Sequence, residues 1–353
     1  MRILQTGLTV HDRAKATQGY TLYTPLFGNR TYLMDMDANT VHEWELPDRP
    51  AGYARLLPNG NLFYASYLEG GPPLKAGAKG GLIREVDWDG NVVFEHIDLA
   101  QHHDVRRLAN GNIVYSCWEK MAPDTAARVS GGLEGSEMED GSMWSDLVRE
   151  VSPDGDTVWQ WRFAEDVELA RYTLHPLAKR AVVPWCNAVV PLDGGDVLIC
   201  LRLLNMVAII DRQTKGFKWQ RQQMDWGLPH DCQILENGNM MLFANGMNST
   251  DAHSHSRIVE FDPETGEEAW VYRADPLNHF YSHHISGAQR LWSGNTLICE
   301  GSFGRLFEVT PDGEIVWEFI NPRFDKNIDG ATVNWVFRSY RYPADSPEIG
   351  GRV

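Results

Sequence analysis

The chain has 353 residues, with 32 Lys and Arg against 48 Asp and Glu for a formal net charge of −16. At 43% hydrophobic and 23% charged it has the apolar content to bury a large core, which excludes a disordered chain. The acidic balance argues against nucleic acid or anionic membrane surfaces as partners, and no apolar run reaches the ~20 residues of a membrane span. The N-terminal stretch MRILQTGLTVHDRAK is too short in apolar residues for a secretory leader, so a cytoplasmic protein is expected. The cysteines, Cys117, Cys186, Cys200, Cys232 and Cys299, are odd in number and form no CxxC, which predicts buried free thiols and no thiolate zinc site.

Taken in chain order, the predicted elements repeat. One hairpin type runs through LMDMDANTVHEW, LIREVDWDGNVVFEH, LVREVSPDGDTVWQW, VAIIDRQTKGFKWQ, IVEFDPETGEEAWVY and LFEVTPDGEIVWEF. Each copy alternates apolar and polar residues, turns at a Gly-containing pair in most cases, and returns with an aromatic: Phe94, Trp159, Trp219, Trp270 or Trp317, with His42 in the first copy. Between them lies a second hairpin, YARLLPNGNLFYAS, HDVRRLANGNIVYSC, NAVVPLDGGDVLICL, HDCQILENGNMMLFA and SGAQRLWSGNTLICE, whose Asn-Gly and Gly-Gly turns supply positive φ at little cost. Two hairpins make a four-stranded propeller blade.

Five blades are contiguous. The remaining one is closed by TVNWVFRSYRY from the C-terminal end and GYTLYTPL, TYLMDMD and HEWEL from the N-terminal end, which leaves no free edge in the ring. The expected fold is all-β: one six-bladed β-propeller domain over 1–353. Residues 119–145 and 163–184 are too long for turns and read as lid-like insertions.

In a propeller the first strand of each blade lines the central channel. Aligning the inner hairpins on their turns brings Tyr53, His103, Asn187, His230, Asp231 and His284 to one mouth of that channel. The position differs from blade to blade and is polar in most, whereas a purely structural position should be apolar or repeated. Imidazoles serve as nucleophiles or general bases. Three of them, His103, His230 and His284, are also a catalytic metal set, with Tyr53 or Asp231 as acid or base in a lyase or hydrolase. A non-catalytic propeller binding a partner through its rim is a further reading. His253 and His255, in a Ser-rich loop, read as surface positions.

The segments GYTLYTPLFGNRTYLMDMDANTVHEWE, HHDVRRLANGN, GSMWSDLVREVSPDGDTVWQW, PHDCQILENGN, ISGAQRLWSGNTLICEGSFGRLFEVTPDGEIVWEF and VFRSYRYP resemble the bacterial arylsulfate sulfotransferase family over nearly the whole chain. The resemblance implies a six-bladed propeller that moves a sulfuryl group from a phenolic sulfate to a phenol through a sulfohistidine, with no cofactor. It matches His230 to the nucleophile, His103 to a second family histidine and Arg202 to the family arginine. Trp185 stands where the family usually carries a histidine, two residues before Asn187. A small aromatic substrate is implied, with Tyr53, Trp185, Asn187, Asp231 and His284 as its binding residues.

Overall fold

A computed structural model describes residues 5–249 and 253–353; the first four residues of the N-terminal stretch lie outside it. Six antiparallel blades of four main strands each form the ring. Blade 1 pairs Val336–Tyr342 as its inner strand with Tyr20–Pro25, Arg30–Met34 and Thr40–Glu45. The register Thr21↔Arg341 and Leu22↔Tyr340 closes the two chain ends into one sheet. The inner strands of blades 2 to 6 are Pro50–Leu56, Gln101–Arg107, Cys186–Pro191, His230–Ile234 and Gly287–Arg290. The expected six-bladed propeller is therefore the fold. One strand goes beyond that expectation: Gly7–His11 adds a fifth strand to the outer edge of blade 6, opposite Trp317–Ile320.

The repeated aromatics tie each blade to the next. The indole N–H of Trp159 donates to Arg212 O at 3.0 Å, Trp219 to Pro263 O at 2.9 Å, Trp270 to Pro311 O at 2.7 Å and Trp317 to Met36 O at 2.9 Å. His42 Nε2 meets Trp88 O at 2.9 Å in the same way. The Asn-Gly turns have a second use. Asn61, Asn112, Asn239 and Asn295 donate side-chain N–H groups to Glu85, Glu150, Glu260 and Glu308, which are all buried. Arg107, Arg212, Arg290 and Arg341 from the following blade pair with the same four carboxylates. A buried carboxylate needs both its hydrogen bonds and its counter-charge, and these four blade junctions supply them.

The two long insertions pair with each other. Ser130–Leu133 and Thr173–Lys179 form a parallel two-stranded sheet. Val129, Leu174 and Ala178 pack with Leu203 and Leu204 of blade 4 in one apolar cluster. All five cysteines are free and buried. No helix among the described residues is long and apolar enough to cross a membrane.

Candidate active site

β-Bulges in the inner strands build the site. In blade 3, Tyr115 pairs with Val105 but Ser116 with His102, so His103 and Asp104 bulge from the ladder. In blade 4 the skipped residue is Asn187, and in blade 5 it is Asp231. His103 and Asp231 both take φ of 53°. A bulge re-aims the side chains around it, and these aim them at the channel.

At one mouth of the channel lies a cavity of about 250 Å³. His103, Trp185, Arg202, His230 and His284 all line it, together with Trp335 and Phe337. Its remaining wall comes from Leu26, Phe27 and Ile285 and from residues 75–78 and 327–329. Neither insertion contributes; Trp185, just past the second, is the nearest residue that does. Loop 68–80 was not singled out by the repeat, because it lies within blade 2 between two ordinary strands. It is fastened to blade 3 by His103 N–H to Ala78 O at 2.8 Å and Gly80 N–H to Gln101 O at 3.1 Å.

Hydrogen bonds determine the tautomer of each key histidine. Asn245 Nδ2 donates to Ser282 O at 2.7 Å and Ile285 O at 3.1 Å, so its oxygen must be the atom facing His230 Nδ1 at 2.8 Å. His230 thus carries its proton on Nδ1 and keeps an unprotonated Nε2. Burial, then the charge of Arg202, pushes its pKa well below the ordinary histidine value, so it is neutral at pH 7.

His103 is arranged differently. The indole N–H of Trp185, a donor only, points at His103 Nε2 across 3.0 Å. The ring proton therefore sits on Nδ1 and faces His102 Nδ1 at 2.8 Å. His102 in turn places Nε2 3.1 Å from Asp146 Oδ1, a close approach without the alignment of a linear hydrogen bond. Asp146 Oδ2 also accepts the backbone N–H of Trp185 at 2.5 Å, which closes the loop. His102 and Asp146 are both fully buried, and sequence reasoning missed them. The doubled histidine in HHD was the available signal; Asp146 comes from a third strand with no repeat equivalent to betray it.

Arg202 supplies the charge. Among the described residues its guanidinium has no hydrogen-bond or ion-pair partner, and burial lowers its pKa to about 10, which leaves it cationic. His284 holds Ser302 Oγ at 3.0 Å through Nδ1, stacks edge-on to Trp335, and has its pKa lowered by burial to about 3. A half-buried guanidinium with no partner among the described residues, set among neutral imidazoles and aromatic rings, suits an anion that carries an apolar group.

Tyr53, Asn187 and Asp231 are not on the cavity wall. They belong to a polar network below it, centred on Arg338 of blade 1, which is 1% exposed. Arg338 pairs with Asp104 at 3.3 Å and with Asp231 at 3.6 Å and donates to Asn187 O at 2.8 Å, while Tyr53 donates its hydroxyl to Asp104. Asn187 Nδ2 donates to Pro229 O at 2.8 Å, immediately before His230.

The three-histidine metal set does not fit this geometry. Both nitrogens of His103 are engaged, and no group of three or more His, Cys, Asp or Glu among the described residues is placed to hold an ion. His255 is another departure: it is buried at 5% exposure, against the expected surface position, while His253 is exposed.

The chain is a closed six-bladed β-propeller with a cationic cavity at the mouth of its channel. The profile of the Arylsulfotransferase (ASST) family matches residues 75–322, more than half of the chain, and the chain belongs to that family. No curated protein matches it. Among solved structures, a protein of unknown function from Bacteroides caccae superposes with a TM-score of 0.56 at 13% identity, covering 92% of this chain and 100% of that one. A streptogramin B lyase superposes at 0.50 with 12% identity, covering 96% and 93%. The Cps50 (Swd1) propeller domain of Myceliophteria thermophila does so at 0.50 with 11% identity, covering 95% and 97%. At such identities these likenesses concern the fold alone.

Proposed function

We propose that the protein is a sulfuryl transferase acting on small aryl sulfates, with His230 as nucleophile and Arg202 as the anion clamp. The observation that carries the reading is the His230 tautomer: Asn245 holds the proton on Nδ1, so a neutral Nε2 lone pair faces the cavity beside a guanidinium with no partner among the described residues. Nε2 attacks the sulfur of the aryl sulfate, an N–S bond forms, and the S–O bond to the ring breaks with release of phenolate. Arg202 offsets the negative charge of the sulfuryl oxygens, as cationic clamps do in phosphoryl transfer. The oxygen of an acceptor phenol then attacks sulfur and the N–S bond breaks. The proton lost by the acceptor balances the phenolate released in the first step.

Trp185, Trp335 and Phe337 give the ring a stacking surface. His103 enters as a neutral wall residue: in the tautomer that Trp185 imposes, it presents no N–H to the sulfuryl group from Nε2.

The test is turnover of 4-nitrophenyl sulfate with phenol as acceptor, followed by mass spectrometry of the quenched protein. The expected result is release of 4-nitrophenol and a sulfuryl adduct of His230, both absent in His230→Ala. An active His230→Ala variant overturns the assignment.

A further inference from the structure

Beside the histidine cavity lies a second, larger groove of about 510 Å³ that shares Phe27, Lys75 and Ala76 with it, as well as residues 327–328. Its wall carries Arg49, Lys75, Lys79 and Lys326 and no acidic residue. In a chain with 48 Asp and Glu against 32 Lys and Arg, four cations without a carboxylate on one wall is a departure from the bulk charge.

The cations are built in. Arg49 lies over the rings of Phe27 at 5.2 Å and Tyr67 at 4.7 Å, and its Nη1 is buried with no hydrogen-bond partner. Lys79 is 8% exposed, and among the described residues its ammonium makes one hydrogen bond, 2.6 Å to Pro72 O. An ammonium has three donors, and a buried guanidinium N–H left unpaired is costly, so both point to an acceptor supplied from outside the chain. Burial alone lowers the Lys79 pKa, and no carboxylate acts on that of Arg49. Lys326 donates to Thr332 Oγ1 at 2.6 Å. Lys75, exposed where the two spaces meet, bridges them.

We propose that this groove is a second anion subsite, which takes the carboxylate of a hydroxyaryl carboxylate whose ring occupies the histidine cavity. It rests on the reading above for the place of the ring and extends it to the class of acceptor: a phenol that carries its own negative group. Arg49 and Lys79 bind the carboxylate. Arg202 is left for the sulfuryl group, so the two anions of the reaction sit on separate cations.

The test is calorimetric titration of the whole protein with 4-hydroxybenzoate and 3-(4-hydroxyphenyl)propionate, each against uncharged 4-methylphenol. At least one carboxylate should bind about tenfold more tightly than 4-methylphenol, with the advantage shrinking as salt is added. Arg49→Gln and Lys79→Gln should each remove most of that advantage and leave 4-methylphenol binding unchanged. The comparison of ligands on the unaltered protein decides the matter even if a variant fails to fold. Equal affinities, no binding of either carboxylate at millimolar concentration, or an advantage lost in Arg202→Gln but kept in Arg49→Gln would overturn the proposal. Benzenesulfonate, titrated in parallel, probes the Arg202 clamp by itself. If it does not bind while the Arg49-dependent advantage persists, the sulfuryl reading fails and the second subsite stands.

Discussion

Trp185 donates its indole N–H to His103 Nε2 across 3.0 Å, a bond between blades 4 and 3 made by residues 82 positions apart. It decides the protonation pattern of the whole Trp185–His103–His102–Asp146 chain. Trp185→Phe keeps an aromatic ring but removes the donor. The variant should be about 1 kcal/mol less stable to urea. In ¹⁵N-edited spectra His103 should lose its single Nδ1–H tautomer. An unchanged His103 signal would refute the tautomer assignment.

Asn245 is a positioning residue for His230. Asn245→Ala removes the acceptor at Nδ1 and leaves the carbonyls of Ser282 and Ile285 without their amide donor. The expected loss is about 10²-fold in kcat with a smaller change in KM, because the nucleophile is misaligned while Arg202 is intact. Equal effects on both variants of the assay, transfer and simple substrate binding, would assign Asn245 a purely structural role.

Arg202→Gln deletes a guanidinium of the histidine cavity that has no partner among the described residues. Affinity for aryl sulfate should fall by about 2–3 kcal/mol, the size of a charged hydrogen bond, and Arg202→Lys should recover part of it. Thermal stability should not fall, since no protein group loses a partner. Unchanged KM in Arg202→Gln would argue against an anion at this place.

The buried histidines set the acid limit of stability. His103 and His230 are held well below the ordinary value of 6.5, and His284 is lowered to about 3, all chiefly by burial. Below pH 6.5 the unfolded chain binds protons that the folded one does not, so stability falls as pH falls, by at most about 1.4 kcal/mol per pH unit for each histidine. The loss continues until the folded pKa is reached, which for His284 is about 3. Denaturation midpoints between pH 7 and 4 should show this slope, and it should be shallower in His284→Phe.

Arg338 is fully enclosed with Asp104 and Asp231. Arg338→Met leaves buried Asp231 without its cation and Asp104 with Arg106 alone, and should cost about 3–5 kcal/mol in urea denaturation. A stability within 1 kcal/mol of the parent would mean that Arg106, 3.0 Å from Asp104, compensates.

The amino-acid sequence alone determined the ring. Alternating strands, Gly-containing turns and a recurrent aromatic are local signals, and their sixfold recurrence specifies blades before any contact is known. The varying residue at the head of each inner strand marked the channel mouth as well, and five of the eight residues it and the family resemblance suggested line one cavity. Which five was a tertiary matter. The bulge skips three residues in blade 2, two in blade 3 and one in blades 4 and 5, so the heads of the inner strands rotate differently: His103 and His230 face the cavity, while Tyr53 and Asp231 turn to Arg338. Spacing along a strand does not encode that rotation. Nor does it show that two distant insertions pair with each other, or that loop 68–80 and residues 327–329 wall the site. Those choices come from packing between segments remote in the chain, where burial and hydrogen-bond satisfaction outweigh any local pattern.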